Sequence, residues 1–457
     1  MTTRAVDMAI GDAGNSEPPA PRSRVLDPVW LASQGQIVRT DHLARTMGNA
    51  VATTGVEALS LDRAVVTAID SSVSERIDDA AITDQKHSGR CWAFAGLNMI
   101  RARIIAELNL GEFELSQNFV FFHDMVEKAN TFLDRTIRDA GRPLDDREVL
   151  DELEHPIGDG GYWPEFAALV RKYGLVPLWA MPDTDSATDT TAMDEHVSTL
   201  LRRAALRIRA AVAAGEDPEP LRCQALADAH RMLTIHLGTP PTEFMWQYRD
   251  KDKHFVREGV MTPKEFGERH AGGVDEFVVV CHDPRPDIDV NTTYRVDRSS
   301  RMVGGADQQH VTADLGVLKQ ASVEAIQDGE PVWFACDVAK QRDKVAGLWH
   351  AHLHDYEDVY GVRLDLPKAD RLILRETTLS HAMCFTGVDL VDGRPRRWRV
   401  QNSWGDKMGE KGYWTMDDSW FDEYVFQVVV RASRLPGAVR AGLDGEPRVL
   451  PSWDPMA

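Results

Sequence analysis

A cysteine on the first turn of an apolar helix, a histidine opening a strand and an asparagine closing the next one form a chemical set. They supply a nucleophile, a base and a group to orient the base. The cysteine is Cys91, in Asp-Gln-Lys-His-Ser-Gly-Arg-Cys-Trp-Ala-Phe (84–94), where a glycine turn leads into an apolar run. A helix N-terminus carries roughly half a positive charge and unpaired N–H groups, which lower a thiol's pKa and can hold a developing oxyanion. Ala93, Leu97, Ile100, Ile104 and Leu108 recur at steps of three or four. That is the stripe of a helix buried on one side, with Cys91 in its first turn. Gln85, six residues upstream, can place its carboxamide N–H beside that of Cys91 as the second donor of an oxyanion hole. His381, in Leu-Ser-His-Ala-Met-Cys-Phe-Thr-Gly-Val-Asp (379–389), is the expected base. Trp398, Val400 and Asn402 alternate along a second strand that ends in a turn, so Asn402 can orient His381. Each residue has an ordinary alternative: a satisfied core histidine, an asparagine in a turn, a surface glutamine. Their joint order and local contexts favour the chemical reading.

These blocks resemble papain-like cysteine peptidases. Within them, Gln-Lys-His-Ser-Gly-Arg-Cys-Trp is similar to the bleomycin hydrolase and aminopeptidase C branch, with Arg90 where secreted relatives usually carry serine and Ser88 where they carry a disulfide-forming cysteine. The resemblance extends to Gly-Gly-Tyr-Trp-Pro-Glu-Phe (160–166), Arg-Met-Val-Gly-Gly (301–305), Pro-Val-Trp-Phe-Ala-Cys-Asp-Val (331–338) and the terminal Trp-Asp-Pro-Met-Ala. It implies an α+β papain-like cysteine peptidase fold, a helical lobe plus an antiparallel β-barrel lobe, with Cys91, His381 and Asn402 catalytic and Gln85 in the oxyanion hole. Cys91 and His381 would stand ready as thiolate and imidazolium. Trp404 would shield the His381–Asn402 bond from water and, with Ala457, face the substrate.

His381 follows Cys91 by 290 residues, where compact enzymes of this type need about 130 to 150, so a large insertion is expected. Residues 195–214, free of glycine and proline, and 222–237 read as its helices, preceded by an Asp/Thr-rich loop over 182–194. The expected layout is a disordered leader over 1–25, an N-terminal arm and helical lobe over 26–180, a mainly helical insertion over 181–270, a β-barrel lobe over 271–450 and a C-terminal arm over 451–457 in the active-site cleft. The arm is stiffened by Pro451 and Pro455 and carries Trp453. In the resembling family such an arm marks the position of the substrate's ammonium, and Ala457 would supply the carboxylate that turns a cleft for internal bonds into one for N-terminal residues.

Composition narrows the functional classes. A formal net charge of -20 opposes nucleic-acid binding and mildly favours cationic substrates such as a free peptide N-terminus. The Arg-rich pieces 202–209 and 394–399 read as solvated faces or subunit contacts. Five scattered cysteines argue against a disulfide framework and for a cytoplasmic location, with Cys223, Cys281, Cys336 and Cys384 packing as small hydrophobes. No run of about 18 apolar residues suggests a membrane span. His350, His352 and His354 alternate and would share a strand face as metal ligands. A solvated loop or helix surface is the reading taken; no metal and no cofactor are expected, since a bound transition metal has no role in thiolate chemistry. The expected activity is removal of N-terminal residues from short peptides, in a homohexamer that the resemblance implies. The alternatives are hydrolysis of a peptide-like antibiotic amide and, in another class, a non-catalytic scaffold.

Overall fold

The structure is a computed structural model describing residues 24–77 and 80–456. The expected leader therefore lies outside the described residues except for Arg24 and Val25, and Ala457 lies outside them too. The chain divides into a small unit, residues up to Asp62 with His354–Asp365, and a large unit holding the rest. The small unit consists of helices Pro28–Thr40, His42–Thr54, Val56–Ser60 and Tyr356–Tyr360. Asp27 and Asp41 cap the first two through bonds from the Val29 and Ala44 N–H groups, and neither of these helices buries a residue.

At the centre of the large unit lies helix Cys91–Glu107. One-sided burial was the expectation; instead every residue from Trp92 to Arg101 is buried. The physical reason is its neighbours. It packs on helices Gln117–Arg138 and Trp163–Tyr173 and also on strands Val332–Cys336 and His381–Val391, so none of its faces meets water over three turns. Gly96 permits the closest approach, since a Cβ there would meet the Phe166 ring at 2.6 Å.

The expected insertion contains helices Asp185–Thr188, Thr191–Ala214, Glu219–Leu237 and Pro263–His270. The two long ones lie on Gln117–Arg138 and bury Val197, Leu201, Ile208, Ala229 and Leu233 in the core of the helical half. The second begins at Glu219 rather than 222 because Pro220 suits a helix's first turn. An antiparallel hairpin, Phe244–Arg249 with Phe255–Met261, was not foreseen. Its signal was in the sequence: Phe244 and Trp246 are buried while Met245 and Gln247 are exposed, the period of a strand.

Residues after 270 form a twelve-stranded sheet in which the strand Glu75–Arg76 also takes part. At its centre Phe277–Cys281, Val425–Arg431, Val332–Cys336, His381–Val391, Arg394–Gln401 and Tyr413–Asp417 pair in that order, all antiparallel. Three outer pairings are parallel, which the antiparallel expectation did not include. A second core lies on this half, with Phe334, Phe385, Trp398, Phe421 and Trp420 among its members. Arg397 and Arg399 are buried rather than solvated: Arg397 pairs with Asp70 and Asp389, and the Arg399 guanidinium lies 3.3 Å from the Tyr413 ring centre.

Candidate active site

Cys91 is the first residue of its helix, with Arg90 as N-cap. The turn before it is held by polar contacts. Ser88 donates through its hydroxyl to the Gln85 carbonyl at 2.7 Å and accepts from Arg90 Nε at 3.0 Å. The fully buried Arg90 makes a bidentate pair with Asp183, at 2.9 and 3.1 Å. The His87 N–H donates to the Thr188 carbonyl at 2.9 Å, and the Gly89 N–H donates to the Asp159 carboxylate. Thus the turn is fastened from outside by residues 159, 183 and 188, the last two at the start of the insertion.

Gln85 is buried. One of its carboxamide hydrogens bonds the Ser88 carbonyl, leaving the second for an oxyanion. Its carboxamide oxygen accepts from the Ser403 hydroxyl at 2.7 Å, and its backbone N–H donates to the Ser403 carbonyl at 2.8 Å. Gly405 N–H reaches the Thr83 carbonyl at 3.1 Å, completing a short rung between the turn before Cys91 and the turn after Asn402.

His381 opens its strand, paired to Cys336 on one side, while Cys384 further along pairs to Gln401 on the other. Asn402 follows Gln401 directly. His381 Nε2 lies 2.9 Å from Asn402 Oδ1, which also accepts from the Ser403 N–H at 2.8 Å. Since that oxygen is an acceptor twice over, Nε2 carries the proton and Nδ1 is the basic nitrogen of the neutral ring. Trp404 lies against the imidazole, ring centres 4.8 Å apart, which fits the shielding role. It is not among the residues lining the cavity described next.

Gln85, Cys91 and His381 line one cavity of about 450 Å³, together with Gly160, Gly161, Tyr162, Glu165, Arg301 and Leu379. Burial pushes the Cys91 thiol up to about 11, opposed by the Ala382 and Trp92 N–H groups and reinforced by the Asp159 charge. Burial draws His381 down to about 4, opposed by its bond to Asn402. Both directions, each set by the desolvation of that group alone, favour the neutral thiol and imidazole and oppose a ready-made ion pair. Desolvation outweighs the helix terminus because the site sits between two cores.

The C-terminal arm is anchored as far as Met456. Both Asp454 oxygens accept from Arg285 at 2.9 Å, Trp453 lies over Arg147, and buried Met456 packs in a cluster with Cys281, Leu372 and Phe426 against which Leu379, a cavity residue, also packs. Ala457 lies outside the described residues. His350 lies 3.6 Å from Asp417 and in ring contact with His352, centres 6.0 Å apart, while His354 bonds Ser60 at 3.1 Å. Cys281, Cys336 and Cys384 are buried as expected, but Cys223 is exposed, 3.3 Å from Glu219 Oε1, because it falls on the solvent side of its helix. Sequence reasoning missed Asp159 and Asp183. Asp159 directly precedes the quoted Gly160-Gly161 motif; Asp183 gave no local signal.

The family model described as the Peptidase C1-like family matches residues 31–457. The chain is 36% identical over 415 residues to an aminopeptidase C of Lactobacillus delbrueckii subsp. lactis, covering 89% of this chain and 92% of that one. It is 40% identical over 387 residues to the bleomycin hydrolase of Homo sapiens, covering 82% and 85%. The crystal structure of pepw from Lactobacillus rhamnosis superposes with a TM-score of 0.92 at 35% identity, covering 94% of this chain and 98% of that one.

Proposed function

The chain belongs to the Peptidase C1-like family, and from that premise we propose how this papain-like cysteine aminopeptidase works: Cys91, His381, Asn402 and Gln85 release N-terminal residues from short peptides through a thioester. The observation that carries the reading is the His381–Asn402 bond, covered by Trp404, in one cavity with a cysteine that opens a helix. Peptide binding completes desolvation as Cys91 Sγ attacks the carbonyl carbon. Its proton passes to His381 Nδ1, the S–C bond forms, and the C=O electron pair becomes an oxyanion facing the Gln85 carboxamide and the Cys91 N–H, each worth about 3 to 4 kcal/mol in comparable holes. The tetrahedral centre collapses, the C–N bond breaks, and His381 gives its proton to the departing amine. A water, deprotonated by His381, then hydrolyses the thioester and restores the thiol.

Restriction to the first residue is assigned to the arm. The anchored Asp454 and the packing of Met456 beside Leu379 support it, and the overall acidity favours a cationic N-terminus. Exposed Val29, Leu31, Ile37, Val38 and Leu43 on the small unit's helices support assembly into a homohexamer, and five free cysteines support a cytoplasmic location. Among the described residues no helix is long and apolar enough to cross a membrane. The second reading, an antibiotic amide hydrolase, is favoured by the relative named bleomycin hydrolase and uses the same residues; a non-catalytic scaffold leaves the intact set unexplained. The test is hydrolysis of free-amine against N-acetylated peptides by the native protein and by Cys91→Ala. Cleavage of free-amine peptides alone, abolished in a folded Cys91→Ala, is the expected result. Turnover surviving in Cys91→Ala would reject the nucleophile, and equal cleavage of acetylated peptides would reject the aminopeptidase assignment.

A further inference from the structure

We propose that Asp159 is a positioning residue for this reaction, its carboxylate fastening the turn that carries the oxyanion donors to the glycine segment 158–161 of the cleft and to the start of the helical insertion. The inference rests on the reading of Cys91 and Gln85 above. One oxygen of Asp159 accepts from the Gly89 N–H and from the buried Thr190 hydroxyl, the latter at 2.7 Å. Its backbone carbonyl accepts from Trp92 Nε1 at 2.8 Å. Gly89 and Trp92 stand on either side of Cys91, so a single residue grips the nucleophile from both directions. Gly160 and Gly161, which follow Asp159, line the cavity. Lys128 holds the same segment through the Gly158 and Gly160 carbonyls, at 2.8 and 2.6 Å.

The contact has no slack. A Cβ at Gly89 would fall on the Asp159 carboxylate, and one at Gly161 would meet the Trp92 ring at 2.6 Å. Tight placement matters because a small displacement of the donors removes them from the developing oxyanion.

The carboxylate also carries a charge that opposes ionisation of Cys91, which separates positioning from electrostatics experimentally. The charged and titratable groups around this cluster are Lys128 and Asp124 on the long helix, Glu165, Arg301, Tyr162, His155 and His381 at the cavity, Cys336 on its strand, the Arg90–Asp183 pair and Asp194 on the insertion. Burial and the Asp159 charge raise Asp194 to about 7, so Asp194→Asn serves as the control for its own titration.

Full-length Asp159→Ala, Asp159→Asn and Thr190→Val are compared with the native protein for kcat and KM on an aminoacyl-arylamide and for the pH dependence of Cys91 alkylation by iodoacetamide. Asp159→Ala is expected to lose roughly 10- to 100-fold in kcat with little change in KM. Asp159→Asn, which keeps an acceptor oxygen, is expected to recover most of that loss while its alkylation profile moves by up to about one unit toward acid. Thr190→Val falls between. Native kcat in Asp159→Ala, with Cys91→Ala inactive, overturns this proposal alone; activity in Cys91→Ala overturns the reading beneath it. Where Asp159→Ala does not fold, an unmoved profile in Asp159→Asn together with native kcat in Thr190→Val is the overturning result.

Discussion

The two halves of the active site are built on different physical principles. The turn from Gln85 to Cys91 is held by charges and single hydrogen bonds that cross large sequence distances: Arg90 to Asp183, Gly89 to Asp159, His87 to Thr188. The half that carries His381 and Asn402 is held by ladders to strands Val332–Cys336 and Arg394–Gln401 and by an aromatic core including Phe334, Phe385, Trp398 and Phe421. A ladder spreads its load over many rungs, whereas a lone buried ion pair concentrates it. The difference places fine adjustment of the oxyanion donors in a few polar residues and leaves the base in a rigid seat.

The strongest way to break this contrast is Arg90→Met. Removing the guanidinium strands Asp183 and empties the space against Phe94 and Phe121. Because Asp183 keeps partial access to water, the expected loss in unfolding free energy is about 3 kcal/mol, the lower end for a severed buried pair. Urea denaturation measures it, and a second change, Asp183→Leu, should return part of the loss. An unchanged midpoint would mean the helical half is held by packing after all. Next comes Gln85→Ala, expected to lower kcat by about 10²- to 10³-fold with KM nearly constant, the signature of a donor used only in the transition state; a matching rise in KM would make it a ground-state contact.

The smallest effect sharpens the electrostatic side. With the Cys91 thiol raised to about 11 and His381 lowered to about 4, the neutral pair dominates between those values. The alkylation rate of Cys91 should then climb about tenfold per pH unit from 6 to 9, following the thiolate fraction. A plateau across that range would restore the ion pair that the sequence suggested.

Local chemistry was readable from the chain. Cys91, Gln85, His381 and Asn402 announce themselves because a glycine turn, a helical period and two strand periods lie next to them in sequence, and each ends where the structure needs it. The resemblance and the two long insertion helices were legible for the same reason. What could not be read depends on encounters far along the chain. Asp183 meets Arg90 only after folding, and the all-round burial of Trp92–Arg101 reflects neighbours more than 200 residues away. The pull of burial against ionising Cys91 and His381 was hidden on the same account, since a helix N-terminus is a local property while desolvation is a property of the finished core. The hairpin 244–261 was the exception, a two-residue period that was present and passed over.

Ser403 links these halves more intimately than their cores do. It neighbours the asparagine behind the imidazole, yet its hydroxyl and carbonyl grip the glutamine of the oxyanion hole. Any breathing motion that parts the jaws must tear this stitch early, and with it the alignment of donor and ring. Such an enzyme would behave like a circuit with a fuse, falling silent as soon as it gapes and regaining its competence only when shut.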